Sequence, residues 1–372
     1  MSIVIVGGGA LGSMHAWQAV RRGHEVVQIE RDLAARSASV RNFGLVWVSG
    51  RADGEELTVA LRARELWEQV ATDVPEIGFR ANGSLTVALT DAELAVAKEV
   101  AARPDADERG FRLLDAAEAR RLNPAVRGDI VGALHCSRDA AVEPRLAQQA
   151  IRAALGASGR YEYVAGTEVT DLGDGHAVGD DGRRFDGDLV VYLPGARLSG
   201  LTRRLSADLP VRRVFLQMFQ TQPLGQQLTT SLADGDSFRY YPAFAGDALR
   251  RLESEQPQHP VADQHHMQLL MVQRRDGSLT IGDTHTYDEP FPFDVDEAPT
   301  AYLTERVEQI LGVPLPAIAR RWYGVYAQCH DPRQLVHRES FFERTHFVTG
   351  PGGRGMTLSP AIAETTCELF NL

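Results

Sequence analysis

The sequence is almost devoid of lysine and contains no long apolar run. Lys98 is the only lysine among the 39 basic residues, so nearly all positive charge is carried by arginine. The net charge of -11 at pH 7 argues against nucleic acid or an anionic membrane surface as a partner. No apolar stretch approaches the roughly 20 residues that a membrane-spanning helix needs. We therefore expect a soluble globular protein without a nucleic-acid or membrane partner.

Cysteine is also scarce. Cys136, Cys329 and Cys367 are odd in number and widely spaced, which favours neither a disulfide framework nor a zinc site. A strand pattern begins directly after the N-terminus and leaves no room for a signal peptide. We therefore expect a protein of the reducing cytoplasm that holds no metal.

A glycine-rich turn follows the first apolar stretch. Residues 3–6 are apolar and mostly β-branched, residues 7–12 read GGGALG, and residues 13–22 have the character of a helix. A second strand pattern occupies residues 25–29. This order of strand, G-x-G-x-x-G, helix and strand is the context that a dinucleotide-binding motif requires.

Each part of the turn has a physical role in holding a dinucleotide. Gly7 permits the tight turn, Gly9 lets the backbone approach a pyrophosphate, and Gly12 allows close packing of helix and strand. The free N–H groups of the helix N-terminus favour an anion. Glu30 ends the second strand, where a carboxylate accepts hydrogen bonds from ribose hydroxyls. The predicted contacts to the dinucleotide are Gly7, Gly9, Ala10, Leu11, Gly12, Glu30 and Arg31.

The rest of the chain alternates between helix and strand patterns. Helical spacing occurs in residues 55–70, 91–102, 145–155 and 300–311. Strand patterns occupy residues 188–193, 211–221, 238–244, 267–273, 278–281 and 345–349, and residues 78–89 predict a hairpin around Asn82-Gly83. A second glycine-rich turn at residues 350–355 precedes a C-terminal helix. A nicotinamide-dependent dehydrogenase rarely needs that second turn, whereas a flavoprotein with a long cofactor does.

Taken together, these segments resemble the FAD-dependent amine oxidoreductases of the D-amino acid oxidase, glycine oxidase and sarcosine oxidase superfamily. The resemblance spans the whole chain in order. After the opening motif it is carried by SASVRNFGLVW (37–47), by the D-x-x-V-x-P pattern in GALHCSRDAAVEPRLAQQAI (132–151), by LVVYLPGA (189–196) and by FVTGPGGRGMTLSPAIAE (347–364). It implies non-covalently bound FAD, with further cofactor contacts from Ser39, Arg41, Asn42, Gly44, Val164, Gly195, Gly352, Gly353, Arg354, Gly355 and Met356.

The resemblance also implies an α/β fold with two domains. A Rossmann-like FAD-binding domain with a parallel sheet would comprise residues 1–75, 139–210 and 335–372. An α+β substrate domain with a mainly antiparallel sheet would comprise residues 76–138 and 211–334. The reason is that the flavin motifs lie at both ends of the chain, while strands rich in tyrosine, arginine and histidine lie between them.

The implied reaction is hydride transfer from a carbon that bears an amine to the flavin, followed by hydrolysis of the imine. ASVRNFGLVW, GSLTIGDTHTYD and GGRGMTLS resemble a subfamily proposed to oxidise aminophosphonates related to 2-aminoethylphosphonate. We therefore expect a small amine substrate of that class, possibly N-methylated, with O₂ or another electron acceptor. The alternatives are a D-amino acid, glycine or sarcosine oxidase or dehydrogenase and, more distantly, an NAD(P)-dependent dehydrogenase or a non-catalytic flavoprotein subunit.

One departure from the family pattern bears on the substrate. Amino-acid oxidases of this type carry a carboxylate-binding arginine in a W-x-G-x-R-P stretch, but RRWYGVYAQCHD (320–331) has Tyr326 at that position. A tyrosine cannot supply a bidentate charge, so another arginine must neutralise an anionic substrate. Arg239, on an expected strand, is the first candidate, with Arg41 and Arg354 as others. Each could instead be a surface or flavin-contacting arginine.

His285 is the predicted catalytic histidine. It lies in GDTHTYD with Tyr287 two residues on, and a neutral imidazole there could orient the amine or receive its proton. The alternative is a hydrogen-bonded loop histidine. His265-His266 lies in a polar loop without a partner acid and is expected at the surface.

Cys329 lies near the segment in which sarcosine oxidases link FAD covalently. It falls several residues C-terminal to the linking position, so no covalent link is expected.

Lys98 bears on the oxygen reaction. Relatives of sarcosine oxidase use a lysine above the flavin to promote the reaction with O₂. Lys98 instead lies in an amphipathic helix pattern, where an exposed side chain is expected. We therefore expect an arginine or histidine in that role, or slow reoxidation and a different physiological acceptor.

Overall fold

The computed structural model describes residues 1–371, in which strands and helices alternate. The strands in chain order are β1 (Ser2–Val6), β2 (Glu25–Glu30), β3 (Leu45–Val46), β4 (Ser84–Ala88), β5 (Phe111–Asp115), β6 (Gly132–Cys136), β7 (Ala140–Ala141), β8 (Tyr161–Ala165), β9 (Val169–Gly173), β10 (His176–Gly179), β11 (Arg184–Asp186), β12 (Leu189–Tyr192), β13 (Val211–Pro223), β14 (Ser231–Ala233), β15 (Leu270–Gln273), β16 (Ser278–Gly282), β17 (Ile318–Cys329), β18 (His337–Phe342) and β19 (Thr345–Thr349).

The helices connect these strands and cover the sheets. In chain order they are α1 (Ala10–Arg21), α2 (Glu55–Asp73), α3 (Asp91–Ala101), α4 (Ala106–Arg109), α5 (Ala116–Leu122), α6 (Pro144–Gly156), α7 (Leu201–Leu205), α8 (Gly235–Tyr240), α9 (Asp247–Glu255), α10 (Pro260–Gln264), α11 (Glu297–Leu311) and α12 (Gly355–Leu369). Short 3-10 turns lie at Ala38–Val40, Pro75–Ile77, Pro242–Phe244 and Gly352–Arg354. None of the helices within residues 1–371 is long and apolar enough to cross a membrane.

The N-terminal strand lies in the middle of a mainly parallel sheet. The strand order is β18-β19-β12-β1-β2-β8, and the β18–β19 pair is antiparallel while the other neighbours run parallel. Ile3 and Ile5 pack on one face with α1 and α12, and Val4 and Val6 pack on the other with residues of β9, β10 and β12. Burial on both faces explains why this strand is apolar throughout.

The second sheet is larger and mainly antiparallel. Its strand order is β17-β13-β16-β15-β14-β4-β6-β5, and β4–β14 is its one parallel pair within residues 1–371. Leu85 and Val87 of β4 face a core shared with Leu303 and Val307 of α11. Val214 and Met218 of β13 face the opposite core, which joins this sheet to the loop after α1 and β2.

The predicted α/β fold, with one parallel and one mainly antiparallel sheet, is confirmed. Strands of the parallel sheet come from residues 1–75, 139–210 and 335–371, and those of the larger sheet come from residues 76–138 and 211–334. The domain boundaries themselves stay a prediction.

The hairpin expected at residues 78–89 is wrong. The structure has one strand there, β4, which pairs with β14 and β6, both distant in sequence. In place of a first hairpin strand, the backbone of Arg80 forms an isolated β-bridge with Ala141. The Asn82-Gly83 turn therefore leads into a strand whose partners are chosen by tertiary packing.

The strand expected at residues 238–244 is also wrong. The structure has α8 followed by the 3-10 turn Pro242–Phe244, so Arg239 lies on a helix. The Asp234 side chain accepts a hydrogen bond from the Asp236 backbone N–H at 3.1 Å, which caps that helix.

The first helix also begins earlier than expected, at Ala10 directly after the glycines.

Candidate active site and cofactor groove

The turn between β1 and α1 tolerates only glycine at two positions. A Cβ atom on Gly12 would lie 2.0 Å from the Gly7 carbonyl oxygen, and one on Gly7 would lie 2.4 Å from the Leu193 carbonyl oxygen. Gly7 also has a φ of +127°, which L side chains rarely adopt. The helix begins after Gly9 without a side-chain cap, so its N-terminus is open to an anion.

Glu30 is held at the carboxyl end of β2. Its carboxylate accepts hydrogen bonds from the backbone N–H groups of Gly8, at 2.6 Å, and Asp32, at 3.0 Å. A cavity of about 160 Å³ opens beside it and is lined, among others, by Gly7, Glu30, Arg31, Val169 and Gly195. This is where the sequence places the ribose and adenine side of a dinucleotide.

A larger cavity of about 850 Å³ continues from the smaller one and extends to the antiparallel sheet. The two cavities share lining residues from four segments: Gly9, Ala38, Ser39, Leu193, Gly195, Ala196 and Val325. A continuous groove therefore runs from Glu30, past the N-terminus of α1, to His285. The position of the open helix end along this groove fits a dinucleotide with its pyrophosphate at Gly9.

The loop after β2 forms one wall of the larger cavity. The Ala10 backbone N–H donates to Ser39 Oγ at 2.8 Å, and Asn42 Nδ2 donates to the Ala38 carbonyl at 2.8 Å. Gly44 has a φ of +67°, and a Cβ there would lie 2.2 Å from the Val142 carbonyl oxygen. Gly44 therefore shapes the loop from behind, while Ser39 and Asn42 line the cavity.

The aspartate of the D-x-x-V-x-P pattern supports this wall. Asp139 Oδ1 accepts from the backbone N–H groups of Val48, at 2.6 Å, and Ser49, at 3.0 Å, and its Oδ2 accepts from Ser84 Oγ at 2.6 Å. Burial raises the pKa of the Asp139 carboxyl. The motif thus joins the end of the loop after β2 to strand β4 of the other sheet.

The second glycine-rich turn leads into α12 beside the same cavity. Gly352 has a φ of +65°, and residues 351–357 line the cavity. Thr357 Oγ1 accepts from the Trp47 backbone N–H at 2.9 Å, so this turn is joined to the loop after β2. A second helix N-terminus therefore lies at the groove, where it favours negative charge.

The far end of the larger cavity is lined by polar and aromatic side chains. His285 Nδ1 lies 2.9 Å from the His266 carbonyl oxygen, and His285 Nε2 lies 3.8 Å from Asp283 Oδ2. Gln268 Nε2 donates to Asp283 Oδ1 at 3.2 Å. His285 is 3% and Asp283 is 5% exposed, and burial raises the pKa of the Asp283 carboxyl.

Tyrosine rings enclose this end of the cavity. The Tyr240 ring stacks on the His285 imidazole with centroids 4.5 Å apart, and the Tyr287 ring lies 6.3 Å from it. Tyr326 lines the cavity from β17. The pKa of Tyr326 is raised well above its ordinary value, mainly by burial and secondly by the nearby Asp283 carboxylate. The Tyr326 hydroxyl therefore stays protonated.

Comparison with known families identifies the chain. A model of the FAD-dependent oxidoreductase family matches residues 2–369. The chain belongs to this family. The predicted superfamily is therefore confirmed. FAD is the cofactor of this family, so the nicotinamide-dependent alternative is wrong.

The relatives of this oxidoreductase include an opine oxidase subunit and a glycine oxidase. It is 29% identical to one of the subunits of opine oxidase from Rhizobium meliloti over 153 residues, which are 37% of this chain and 40% of the relative. It is 26% identical to glycine oxidase from Geobacillus kaustophilus over 223 residues, which are 56% of this chain and 58% of the relative. These alignments thus span less than two thirds of either relative.

The solved structures confirm the fold across the whole chain. Glycine oxidase from Bacillus cereus ATCC 14579 superimposes with a TM-score of 0.80 over 99% of this chain and 96% of that chain. The sequence identity is only 19%, so this similarity concerns the fold alone.

The arginines predicted as anion anchors have protein partners. Arg239 Nη2 donates to the Gln256 carbonyl at 2.6 Å, and its Nε lies 3.7 Å from Asp236. Arg41 donates to the backbone carbonyls of Arg36 and Tyr323, both at 2.8 Å. All three nitrogens of Arg354 donate to backbone carbonyls, those of Pro351, Pro332 and Gln334. Arg354 therefore stabilises the second glycine-rich turn.

Several other predicted residues lie away from the larger cavity. Val164 is 6% exposed and pairs with Ile29 in the parallel sheet, so it is part of the core. In this part of the chain it is Val169, and not Val164, that lines the smaller cavity. Cys329 is buried, free and absent from the lining of the larger cavity. Lys98 is exposed on α3, as expected.

The loop histidines differ in part from expectation. His266 is exposed, but its carbonyl accepts from His285. His265 is half-buried and its Nε2 lies 3.7 Å from Asp296 Oδ2, so the expectation of no partner acid is wrong. Asp296 caps α11, thirty residues beyond the loop, which is why local sequence did not reveal it.

Sequence reasoning missed several charged residues of the cavity, including Asp283 and Arg51. Asp283 stands two positions before His285 in GDTHTYD, and Arg51 follows the flavin loop. Residues i and i+2 of an extended chain share a face, so the spacing of Asp283 and His285 was a usable signal. Nothing in the sequence around Arg51 indicated that it would reach the same cavity.

Proposed function

We propose that this flavoenzyme oxidises the C–N bond of a small amine that also carries a phosphonate, of the 2-aminoethylphosphonate type, either primary or N-methylated. The observation that carries the amine assignment is the pair of acceptor atoms, Asp283 Oδ2 and His285 Nε2, at the tyrosine-lined end of the cavity. Bound FAD would supply the hydride acceptor.

The tautomer of His285 supports this assignment. A carbonyl oxygen can only accept a hydrogen bond, so the 2.9 Å contact with His266 requires the proton on Nδ1. In the neutral imidazole, Nε2 is then an acceptor, and it faces a carboxylate oxygen that is also an acceptor. Neither atom has a hydrogen-bond partner in the part of the chain that the structure describes. Two acceptors 3.8 Å apart match two N–H groups of one amine.

These two residues would also handle the proton that must leave before oxidation. A substrate amine arrives as an ammonium ion near neutral pH, and its lone pair assists loss of a hydride only after deprotonation. His285 Nε2 would take that proton as a general base, and the Asp283 carboxylate would stabilise the resulting imidazolium. The His266 carbonyl would keep the ring oriented throughout.

The tyrosines would exclude water and contact the substituents on nitrogen. Tyr240 stacks on His285, and Tyr287 lies on the same side of the cavity. Aromatic faces attract an ammonium ion and its N-methyl groups. Tyr326, with its protonated hydroxyl, would donate a hydrogen bond to a substrate oxygen.

The residues predicted for the cofactor would divide along the groove. Glu30 and Arg31 would hold the ribose side, and the backbone of residues 7–12 the pyrophosphate. The flavin would lie between the two loops and contact Ser39, Arg41, Asn42, Gly195, Gly352, Gly353, Arg354, Gly355 and Met356. Gly44 would act through the shape of the loop. We propose that the cofactor is not covalently linked.

An amino acid is the second candidate substrate. It is favoured by the name of the glycine oxidase relative and is equally compatible with a cavity that holds both signs of charge. The phosphonate is supported by the subfamily resemblance and by Tyr326 at the position of the usual carboxylate arginine.

Anaerobic reduction of the flavin tests the proposal directly. Purified protein would be mixed without oxygen with 2-aminoethylphosphonate, its N-methyl form, glycine, sarcosine and D-amino acids, while the flavin absorbance is followed. We expect the phosphonates to bleach the flavin fastest. Bleaching by D-amino acids or sarcosine alone would overturn the phosphonate assignment, and no bleaching by any amine would indicate a non-catalytic flavoprotein subunit.

A further inference from the structure

We infer that Arg51 binds the anionic group of the substrate. This inference rests on the proposed function, because it assumes a substrate with an amine at one end and an anion at the other. Arg51 is 5% exposed and lines the larger cavity, although it follows the segment that resembles the flavin loop.

The protein holds the Arg51 guanidinium in place but leaves part of it free. Its Nε donates to the Trp47 carbonyl at 2.8 Å, and its Nη1 lies 3.4 Å from Glu56 Oε1. Its Nη2 has no hydrogen-bond partner within residues 1–371. A guanidinium fixed on one edge and open on the other is suited to binding an oxyanion.

The carboxylate that pairs with Arg51 is shared with a second buried arginine. Glu56 is 7% exposed and is shared, because its Oε2 lies 3.2 Å from Arg354 Nη1. Arg354 uses its remaining hydrogen-bonding capacity on backbone carbonyls. One buried carboxylate thus serves two buried arginines, so within this group of three side chains one positive charge is left over. A bound monoanion would balance it.

Arg51 lies on the same cavity wall as the amine-binding pair. Its guanidinium lies 5.8 Å from the Tyr241 ring centroid. The Tyr241 ring contacts Tyr240 at 5.1 Å, and Tyr240 stacks on His285 at 4.5 Å. Burial raises the pKa of the Tyr241 hydroxyl overall. Among the charged groups that act on this pKa, Arg51 lowers it and Asp283 raises it. The rings of Tyr241 and Tyr240 thus connect Arg51 with His285 along the cavity.

The other arginines of the cavity fit this role less well. The charge of Arg239 is matched by Asp236, and its Nη2 is directed to the end of α9. Arg41 is half-buried and lies over Tyr323, which is 45% exposed. Arg333 has a side chain that is 90% exposed and is paired with Asp331.

The test measures anion binding separately from turnover. Methylphosphonate and acetate, which carry no amine, would be titrated into the oxidised holoenzyme while the flavin absorbance shift is recorded. We expect Arg51→Gln to weaken methylphosphonate binding roughly 10- to 100-fold, as loss of a charged hydrogen-bonding partner does. Acetate would show whether the site also takes carboxylates.

Matched variants and a second substrate complete the experiment. Arg321→Gln removes an exposed arginine outside the cavity and should change nothing. Arg239→Gln tests the competing anchor. Reduction by 2-aminoethylphosphonate should need a roughly 10- to 100-fold higher concentration in Arg51→Gln, while reduction by propylamine, which lacks the anion, should stay within about threefold of wild type.

The outcomes separate this inference from the proposed function. Unchanged methylphosphonate affinity in Arg51→Gln, or loss of it in Arg239→Gln alone, would overturn the role of Arg51 even if amines reduce the flavin. Failure of every amine to reduce the wild-type flavin would overturn the proposed function, whereas the methylphosphonate titration would still report on Arg51. Should Arg51→Gln lose FAD, Arg51→Met, whose side chain is uncharged, takes its place, and unaltered methylphosphonate affinity in that holoenzyme would overturn the role of Arg51.

Discussion

The carboxylate of Asp283 and the imidazole of His285 face each other across 3.8 Å without a hydrogen bond between them. The backbone carbonyl of His266 holds the far side of the imidazole. A buried carboxylate in this position stabilises the folded protein poorly, because burial disfavours its charged form. Its position is better explained by what it binds than by what it contributes to the fold.

Asp283→Asn should therefore stabilise the protein near neutral pH and impair amine binding. Burial raises the pKa of Asp283 above its ordinary value of 3.8, so the folded state retains a proton that the unfolded state has already lost. Wild-type stability then declines as pH rises above that value, and the variant lacks this penalty. We expect a higher Tm for the variant at neutral pH and no difference below about pH 4.

Thermal melts at several pH values and amine titrations of flavin reduction would check this. Asp129→Asn, on an exposed residue, is the control. A lower Tm for Asp283→Asn at neutral pH, or an unchanged amine affinity, would show that Asp283 is a structural residue.

Gly12→Ala should abolish FAD binding. The added Cβ would lie 2.0 Å from the Gly7 carbonyl oxygen, a backbone atom that can move only if the turn at the helix N-terminus opens. Gly156→Ala is the matched control, since nothing lies within 4 Å of a Cβ there. Purified Gly12→Ala should be colourless and Gly156→Ala yellow, and acid precipitation of the yellow protein should release all FAD into the supernatant. Colour retained in the pellet would contradict non-covalent binding.

Asp139→Ala should destabilise the protein by at least about 3 kcal/mol, whereas Asp139→Asn should retain most of the stability. The alanine variant leaves the N–H groups of Val48 and Ser49 and the hydroxyl of Ser84 without their acceptor, and each buried unsatisfied group costs about 1–3 kcal/mol. The asparagine variant keeps one acceptor oxygen for the two N–H groups. Urea unfolding of both variants would measure the difference, and equal losses would show that the charge of Asp139, and not its acceptor geometry, matters.

Reoxidation of the reduced enzyme by air should be slow, unless His285 or an arginine of the cavity takes the role of the missing lysine. The single lysine, Lys98, is exposed on α3 and does not line the cavity, so no ammonium group is available beside the flavin. Stopped-flow mixing of reduced enzyme with oxygenated buffer would measure the rate. Rates typical of fast oxidases that do not change in His285→Gln or in variants of the cavity arginines would contradict this prediction.

The flavin-binding turns could be predicted from sequence because their signals are local. The order of β1, the glycines and α1, and the strand β19 before the second glycine turn, depend on residues within a few positions of one another. Gly12 must be glycine because it touches the backbone of Gly7, five residues earlier. Such short-range steric rules leave a readable pattern in the sequence.

The partners of strands were decided by tertiary packing. Residues 78–89 carry hairpin signals, yet β4 pairs with β14, whose residues lie almost 150 positions away. Residues 238–244 have strand composition, yet the Asp234 cap and Pro242 produce a helix and a 3-10 turn. Local propensity is weak compared with the burial of a whole sheet, so it does not choose between these arrangements.

By itself, the sequence determined the cofactor class, the α/β fold and the candidate histidine, because glycine turns and hydrophobic periodicity are local properties. Only the tertiary structure decided which charges meet in the cavity. It turned Arg239 toward Gln256, Arg354 toward three backbone carbonyls, and Arg51 toward the cavity. The physical reason is that a buried charged side chain needs oxygen partners, and those of Arg239 and Arg354 include carbonyls 17 to 22 residues away in the chain, which only folding brings within reach.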